Sequence, residues 1–473
     1  MRLGFFTMPM HPPHRNWIET LKEDRQSFIL ADKLGFYDAF CGEHIADTIE
    51  NVTNSFQFLA TLIPETKQIK LATGTANLSQ THPVLIAAHA AMFDHLAEGR
   101  FVLGISAGAL PADAELLGHL NEDRTRIFHE AVDALFALWT TDAPYNFDQP
   151  NNRFKISSAR MGRAEFGLGM VAKPYQKPYP EIVGTVVAPS SSSATFFGHK
   201  GIHPLSANFL LPQWLKSHWD AYAEGARSVG TSVTPDDWRI ARTIFVADDD
   251  KVAARYAVED AGSPYRFYYF NLLRKFRVAK RLAGFKHGPD QPDHEVTDDY
   301  VVNRLVIHGT VNKVVDEILA LREETGPFGE LVYAGMDWVD SALTKRSMEL
   351  MANEVMPRVN AALATSERRP LQAAQSFVGW IERTRNPSSG VPAGGHDGFR
   401  KSSTHPTEET FSHGNDHPNL RGYWRRADQR QQSGGAGHAR ADRAAIDRRR
   451  QGRRRGCPYS RARSRDRTLQ HGA

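Results

Sequence analysis

Three short apolar segments between residues 31 and 118 alternate with helix-length segments, and each of them ends in small or polar residues. The apolar segments span residues 37–41, 70–76 and 101–106. Apolar runs of this length are typical of buried strands, and their alternation with helices predicts a parallel sheet. In a parallel α/β barrel the carboxyl ends of the strands carry the chemistry. The small and polar strand ends are therefore the candidate functional positions.

The same alternation continues along the chain and predicts eight strands in all. The other five span residues 3–7, 181–187, 201–207, 239–247 and 331–335, and residues 309–310 are predicted as a turn before a helix. Eight parallel strands, each followed by a helix, close a barrel. The predicted fold class is therefore α/β, a parallel (β/α)8 TIM barrel over residues 1–365 with insertions and a disordered basic C-terminal tail.

Two long segments interrupt this repeat, at residues 140–177 and 248–300. The second contains five aromatic residues between positions 265 and 270, followed by a basic patch. Long insertions in a compact barrel are usually lids or mobile loops over the active site. The alternative is a helical addition that packs its aromatic side chains on the barrel wall, and the sequence does not separate the two interpretations.

The segment 366–473 differs in composition from the rest of the chain. It holds 22 of the 58 Lys and Arg residues and 10 of the 54 Asp and Glu residues, which leaves a net charge of −8 on residues 1–365. It is poor in Leu, Ile and Val, so we expect disorder. Its arginine blocks at 448–450 and 453–455 could bind nucleic acid. The composition favours instead a non-native extension, such as the product of a shifted reading frame.

Cysteine content and hydropathy exclude several classes of protein. The two cysteines, Cys41 and Cys457, are too few for a disulfide framework or a cysteine-rich metal site. No apolar run reaches the length of a membrane span, and residues 1–10 lack the pattern of a signal peptide, which favours the cytoplasm. Phosphate-loop, dinucleotide, nucleophile-elbow and His-Glu-x-x-His motifs are absent, and no metal site is predicted.

The strand ends carry recognisable motifs. Leu-Gly-Phe-Tyr-Asp at 34–38 is followed by Gly-Glu-His at 42–44, Gly-Thr-Ala-Asn at 74–77 and Gly-Ile-Ser-Ala-Gly at 104–108. Gly-Ala-Leu-Pro at 108–111 then leads to Asp113 and to Leu-Gly at 117–118. In order and spacing these motifs resemble the bacterial-luciferase-like flavin-dependent monooxygenases, and most of all their limonene-monooxygenase branch.

The resemblance implies a two-component enzyme. A separate NAD(P)H:flavin reductase would supply reduced FMN, which reacts with O2 to give a C4a-(hydro)peroxyflavin that transfers one oxygen atom to a small, hydrophobic organic substrate. A homodimer is also implied, since homodimers are common in the family. Two alternatives stay open: an F420-dependent oxidoreductase of the same superfamily and a flavin-binding protein without turnover.

The resemblance also assigns catalytic residues. His44 would donate or accept a proton beside the flavin, as an imidazole can near neutral pH, with Glu43 as its orienting partner. Ile45 stands where many members have a second histidine, so that residue's role is absent here. Ser106 and Ala107 stand where bacterial luciferase has a reactive cysteine and an arginine, and those functions do not carry over.

The remaining assignments concern the cofactor. The flavin ring is expected against the third and fourth strand ends, at Gly74, Ala76, Asn77, Ser106 and Gly108, with a cis peptide bond between Ala76 and Asn77. The FMN phosphate is expected at Ser190 and Ser193, where a serine-rich helix start offers free backbone N–H groups. Arg126 is a further phosphate candidate, and the alternative for it is a solvated helix charge paired with Glu130.

Overall fold

The computed structural model describes residues 1–147 and 150–365. Its ten strands are all parallel: β1 (Arg2–Thr7), β2 (Asp38–Cys41), β3 (Lys70–Thr73), β4 (Ala76–Asn77), β5 (Phe101–Ser106), β6 (Glu181–Val186), β7 (His203–Ser206), β8 (Arg239–Val246), β9 (Val306–Gly309) and β10 (Glu330–Gly335). The predictions for the 366–473 tail lie outside the described residues. Within the described ranges, no helix combines the length and apolarity that crossing a membrane requires.

The sheet closes because β10 pairs with β1 on one side and with β8 on the other. The eight predicted strands form this ring, so the TIM-barrel prediction is confirmed. The third predicted strand is divided by a cis peptide bond at Gly74–Thr75, and β4 continues it beside β5. The expected cis bond at Ala76–Asn77 is wrong by two positions. The strand β9, absent from the prediction, pairs with the second half of β8.

Helices surround the ring. They are α1 (Trp17–Lys33), α2 (Ser55–Ala60), α3 (Pro83–Leu96), α4 (Pro111–Leu116), α5 (Arg124–Thr140), α6 (Ser192–Lys200), α7 (Pro212–Ser228), α8 (Asp250–Ala254), α9 (Pro264–Val278), α10 (Asp298–Leu305), α11 (Val311–Thr325) and α12 (Ser341–Leu350). The buried face of α5 includes Ile127, Val132, Leu135 and Leu138. The insertion 248–300 contributes α8, α9 and the start of α10.

Side chains from alternate strand positions fill the barrel in layers. A central apolar layer consists of Phe40, Ala72, Val102, Val183, Leu205, Ala241 and Val332. Nearer the amino ends of the strands, the fully buried guanidinium of Arg239 pairs with Asp38 at 3.1 Å, Glu181 at 2.8 Å and Glu330 at 3.3 Å. A Cβ on Gly4 would lie 2.3 Å from Glu330 Oε1, so glycine makes room for this cluster. The lower barrel is therefore filled by side chains, and the predicted site residues lie at the rim formed by the carboxyl ends of the strands.

A second charged cluster joins the ends of β1 and β10 to α1. His11 Nδ1 lies 2.5 Å from Asp337 Oδ1, and its Nε2 lies 3.1 Å from Asp24 Oδ2. Arg15 binds both Glu23 and Asp337 in the same cluster. His11, Glu23 and Asp337 have a spacing that suits a metal ion, but Arg15 already supplies the positive charge there. Burial opposes the charged imidazole, yet the two carboxylates outweigh it and raise the pKa of His11 to about 9.

We predict a pH-dependent contribution of His11 to stability. Because the pKa of His11 rises from 6.5 to about 9 on folding, its contribution is complete below pH 6.5 and is lost as the pH rises through 9. The loss amounts to about 3 kcal/mol, at 1.36 kcal/mol per pKa unit. Urea unfolding between pH 6 and 10 should show this decline in the wild type and not in His11→Gln. Parallel pH profiles of the two proteins would contradict the prediction.

Candidate active site

His44 lies in the loop after β2 and is held by Asp113 of α4. Asp113 Oδ2 is 2.8 Å from His44 Nδ1. The other oxygen, Oδ1, accepts hydrogen bonds from the backbone N–H groups of Ile45 at 3.2 Å and Ala46 at 2.8 Å. One buried carboxylate therefore orients both the imidazole ring and the loop that carries it. The motif that contains Asp113 is visible in the sequence, but this role is not.

Glu43 has a different partner from the one expected. Its Oε2 atom accepts hydrogen bonds from the backbone N–H of Ser55 at 2.7 Å and from the Ser55 hydroxyl at 2.6 Å. Ser55 is the first residue of α2, where backbone N–H groups have no partner within the helix. The assignment of Glu43 as the orienting partner of His44 is thus corrected: Glu43 binds the first residue of α2, and Asp113 orients the ring.

The second nitrogen of the imidazole faces another carboxylate. His44 Nε2 lies 3.6 Å from Glu50 Oε2, and Glu50 is 2% exposed. The other Glu50 oxygen, Oε1, accepts a 2.5 Å hydrogen bond from Lys275 Nζ, which also pairs with Asp47. Lys275 belongs to α9 in the long insertion, 225 residues beyond Glu50. No local sequence pattern indicates this contact.

These neighbours decide the charge of His44. Burial alone would lower the pKa of His44, but the charge of Glu50 and the hydrogen bond to Asp113 outweigh it and raise that pKa above its ordinary value. Burial would raise the pKa of Asp113, but the hydrogen bond and charge of His44 lower it overall. The pair therefore favours the charged form of the imidazole beside an ionised carboxylate, and Nε2 is the ring nitrogen that Asp113 does not bind.

The ends of β4 and β5 form a polar network at the same rim. The hydroxyl of Ser106 donates to Asn77 Oδ1 at 2.8 Å and accepts from the Thr75 hydroxyl at 2.8 Å. The backbone N–H of Gly108 also donates to the Ser106 hydroxyl, at 3.1 Å. The structure thus brings together three of the predicted cofactor residues and adds Thr75, which sequence reasoning did not single out.

The other predicted ring contacts differ in what they can offer. A Cβ on Gly74 would lie 2.9 Å from Phe40 Cβ, so only glycine fits between β2 and β3. Gly108 has a φ of +76°, and a Cβ there would lie 2.8 Å from Gln80 Nε2. The methyl group of Ala76 is buried in the outer hydrophobic core and does not face the rim.

The predicted phosphate residues lie around the start of α6. Ser190 is exposed, and its backbone N–H donates to the Ser217 hydroxyl at 3.2 Å. Ser191 caps α6 by accepting from the backbone N–H of Ser193 at 3.3 Å. The Ser190 and Ser193 hydroxyls are therefore near an N-terminus whose first N–H groups point outward.

Two arginines of α5 have different surroundings. Arg126 is half exposed and pairs with Glu130 at 3.4 Å, as in the alternative interpretation of that residue. Arg124, the first residue of α5, donates to the carbonyl oxygen of Gly108 at 2.9 Å. Burial and the nearby charge of Arg281 lower the pKa of Arg124. Arg124 is a cation at the predicted cofactor floor that sequence reasoning passed over.

The insertion helix α9 lies against the rim. The hydroxyl of Tyr268 lies 3.1 Å from Asn208 Nδ2, and that of Tyr269 lies 2.8 Å from Thr243 Oγ1. Both tyrosines are fully buried, as a helix packed on the barrel requires. Beyond α9, Arg281 reaches the carbonyl oxygen of Ala109 at 3.5 Å. The aromatic run therefore anchors α9 on the barrel, while basic residues of the insertion contact the loops after β2 and β5.

We predict separable effects for the two carboxylates beside His44. Asp113→Asn removes a group that raises the pKa of His44, so that pKa should fall. Glu43→Ala should leave the titration of His44 largely unchanged and destabilise the fold by about 1–2 kcal/mol, because Ser55 loses its partner. NMR titration of 13C-labelled histidine and thermal unfolding measure the two effects. A larger fall in the pKa of His44 in Glu43→Ala than in Asp113→Asn would restore Glu43 as the orienting residue.

Comparison with known proteins finds relatives along most of the described chain. A family model described as luciferase-like monooxygenase matches residues 1–327. The chain is 30% identical over 368 residues to the 4-hydroxyprotoasukamycin monooxygenase of Streptomyces nodosus subsp. asukaensis, covering 76% of this chain and 92% of that protein. It is 28% identical over 361 residues to the limonene 1,2-monooxygenase of Rhodococcus erythropolis, covering 76% and 87%.

A solved structure extends the comparison to the fold. The oxygenating constituent of 3,6-diketocamphane monooxygenase from Pseudomonas putida, a type II Baeyer–Villiger monooxygenase in complex with FMN, matches with a TM-score of 0.67 and 25% identity. The match covers 76% of this chain and 98% of that one. The resemblance stated from the motifs is confirmed: the chain belongs to the luciferase-like monooxygenase family.

Proposed function

We propose that this protein is the oxygenase component of a two-component FMN monooxygenase. It would take reduced FMN from a separate NAD(P)H:flavin reductase and use O2 to oxygenate a small, hydrophobic organic substrate. The observation that carries the proposal is the imidazole of His44, held by Asp113 at the rim where Asn77 and Ser106 form a polar network. The relatives are monooxygenases, which supports the same reaction class.

The residues at the rim fit a flavin. Gly74 and Gly108 lie at the ends of the strands that the ring is expected to contact, and their Cβ positions are filled by Phe40 and Gln80. Gln80 Nε2 is buried and has no hydrogen-bond partner among the described residues, and it lies next to Gly108. An unpaired buried donor costs free energy unless a ligand satisfies it. Asn77 and Ser106 add an amide and a hydroxyl that can bond the polar edge of the ring.

The phosphate would lie between the loops after β5 and β6, which are neighbouring strands. The helices α5 and α6 run side by side in the same direction, because His129 stacks on Phe196 at 3.8 Å and Lys200 pairs with Asp133. Their first turns therefore lie at the same end. That end holds the α6 N-terminus, with Ser190 and Ser193 on one side and the cations Arg124 and Arg126 on the other. N–H groups and arginines are the donors that a phosphate prefers.

The roles of the chain's own residues follow from this arrangement. Bound reduced FMN would supply the electrons that activate O2. His44 would hold a proton at Nε2 where the reaction needs one, and Asp113 would keep the ring in that orientation. The apolar contact surface of α9 would exclude water from the site.

The alternatives have less support from the site. F420 carries a polyglutamate tail that calls for a cluster of free basic residues. In the basic patch after the aromatic run, Lys275 pairs with Glu50, Lys286 with Asp293, and Arg277 with backbone carbonyl oxygens. A flavin-binding protein without turnover would not need a buried carboxylate to orient His44. FMN and catalysis are therefore the favoured interpretation.

The proposal includes a homodimer in the cytoplasm. The outer face of α3 exposes Leu85, Met92 and Leu96, which recur at intervals of seven and four residues and so form one stripe. An exposed apolar stripe of this kind is typical of a contact surface between subunits.

Stopped-flow absorbance tests the central proposal. The full-length protein is mixed with anaerobically reduced FMN and then with O2, in parallel with a His44→Gln variant. We expect wild-type protein to bind reduced FMN and to delay the appearance of oxidised flavin relative to free FMN, with a shorter delay in the variant. Reduced F420 is the matched control ligand. Failure to bind reduced FMN, or binding of F420 alone, would overturn the FMN assignment.

We predict unequal effects for the two arginines of α5. Arg124→Ala should weaken FMN binding by roughly tenfold or more, because a charge-assisted hydrogen bond contributes about 1.5–3 kcal/mol. Arg126→Ala should have a smaller effect, since Arg126 is half exposed and paired with Glu130. Flavin fluorescence titrations with FMN and with riboflavin separate phosphate contacts from ring contacts. An equal loss of affinity for riboflavin in Arg124→Ala would assign Arg124 to the ring instead.

A further inference from the structure

The insertion helix α9 brings a charged side chain close to His44, and its effect there rests on the proposed function only in giving His44 a proton to transfer. We propose that Glu50 and Lys275 are positioning residues that set the charge of His44 from the side opposite Asp113. Glu50 stabilises the imidazolium, and Lys275, which belongs to α9, limits that stabilisation. The seating of α9 on the barrel is thereby coupled to how tightly His44 holds its proton.

The geometry around His44 Nε2 places one carboxylate, that of Glu50, next to this nitrogen. Nδ1 is committed to Asp113 at 2.8 Å, so Nε2 is the nitrogen left for chemistry. The atom opposite Nε2 is Glu50 Oε2, at 3.6 Å. That oxygen is buried and has no hydrogen-bond partner within the described part of the chain. A buried carboxylate oxygen without a hydrogen bond acts on a neighbouring positive charge with little screening, and the His44 ring lies within reach of it.

The charge that opposes Glu50 comes from the ammonium group of Lys275. Lys275 Nζ contacts both Glu50 and Asp47, and its side chain is 19% exposed. Lys275 follows Tyr268 and Tyr269 by about two turns on α9, and those tyrosines bind the rim at Asn208 and Thr243. The position of the ammonium group thus depends on the docking of α9. When α9 is seated, Glu50 is shared between two cations.

The titratable groups around the His44 ring come from three elements. The loop after β2 contributes Glu43, Asp47 and Glu50, α4 contributes Asp113, and α9 contributes Lys275 together with the Tyr268 hydroxyl. Among the groups that act on the pKa of His44, burial lowers it, Glu50 and Asp113 raise it, and Lys275 lowers it. Glu50 and Lys275 therefore act in opposite directions on one proton.

Because Glu50 and Lys275 act in opposite directions on the pKa of His44, their variants should shift that pKa in opposite directions. In Glu50→Gln the pKa of His44 should fall below the wild-type value, because a stabilising negative charge is removed. In Lys275→Met the pKa of His44 should rise above the wild-type value, because the opposing ammonium is lost. Lys275→Arg retains the charge and should return the titration toward wild type. A residue that only supports the fold would not produce shifts of opposite sign.

The measurement is NMR titration of 13C-labelled histidine in the full-length protein without flavin, with the His44 signal identified by its loss in His44→Gln. Arg274→Gln is the matched control. Arg274 is exposed on α9 next to Lys275 and stacks on Phe270, so this variant removes one charge from the same helix without touching Glu50. We expect no shift of His44 in Arg274→Gln.

One further variant keeps the test decisive if Lys275→Met does not fold. Glu50→Gln combined with Lys275→Met removes both charges and leaves no uncompensated buried carboxylate. In this double variant the pKa of His44 should be lower than in Lys275→Gln, which keeps Glu50 and lacks the ammonium group. Circular dichroism confirms that each variant is folded before it is titrated.

The outcomes separate this inference from the proposed function. Unchanged titration of His44 in both single variants, or shifts in the same direction, would overturn the inference even if the protein binds FMN. Opposite shifts in a protein that fails to bind FMN would support the charge coupling and reject the FMN assignment. With function intact, the pH dependence of kcat should move in the same direction as the pKa of His44 in each variant.

Discussion

The pairing of β10 with both β1 and β8 leaves the ring of eight parallel strands without a free edge. Because every strand runs the same way, every carboxyl end reaches the same rim. Residues from widely separated parts of the chain, such as His44, Ser106 and Asn208, therefore meet without any direct sequence relationship. The lower layers of the barrel only have to be full and stable, which leaves the rim residues free to be selected for chemistry.

Charge is distributed unevenly between the two ends of the barrel. At the floor, Arg239 is enclosed by three carboxylates and holds strands together. At the rim, His44 is the group between carboxylates, and its ordinary pKa lies near neutrality. The same arrangement of one cation among several acids is structural in the first case, because a guanidinium does not titrate. In the second case it tunes a proton that can leave.

The sequence predicts those features that repeat or that follow a strand. The eight strands are confirmed because buried parallel strands are continuous apolar runs. The strand β9 is absent from the prediction because Val306–Gly309 is short and its two middle residues are only partly buried. The rim motifs at His44, Asn77 and Ser106 follow directly from strand ends. The role of Glu43 was wrong because adjacency in sequence does not give direction: its side chain turns to Ser55. Lys275 and Arg124 reach the site through helix placement, which no local pattern encodes.

The filled interior has a consequence for the order of events. The apolar layer around Phe40 and the cluster around Arg239 block passage through the barrel, so molecules reach the strand ends from the rim. The loops after β5 and β6 and the helix α9 border that same rim. If two ligands enter from this one rim, the ligand that binds later would cover the ligand that binds first. The depth at which each ligand sits would then fix the sequence in which they enter and leave.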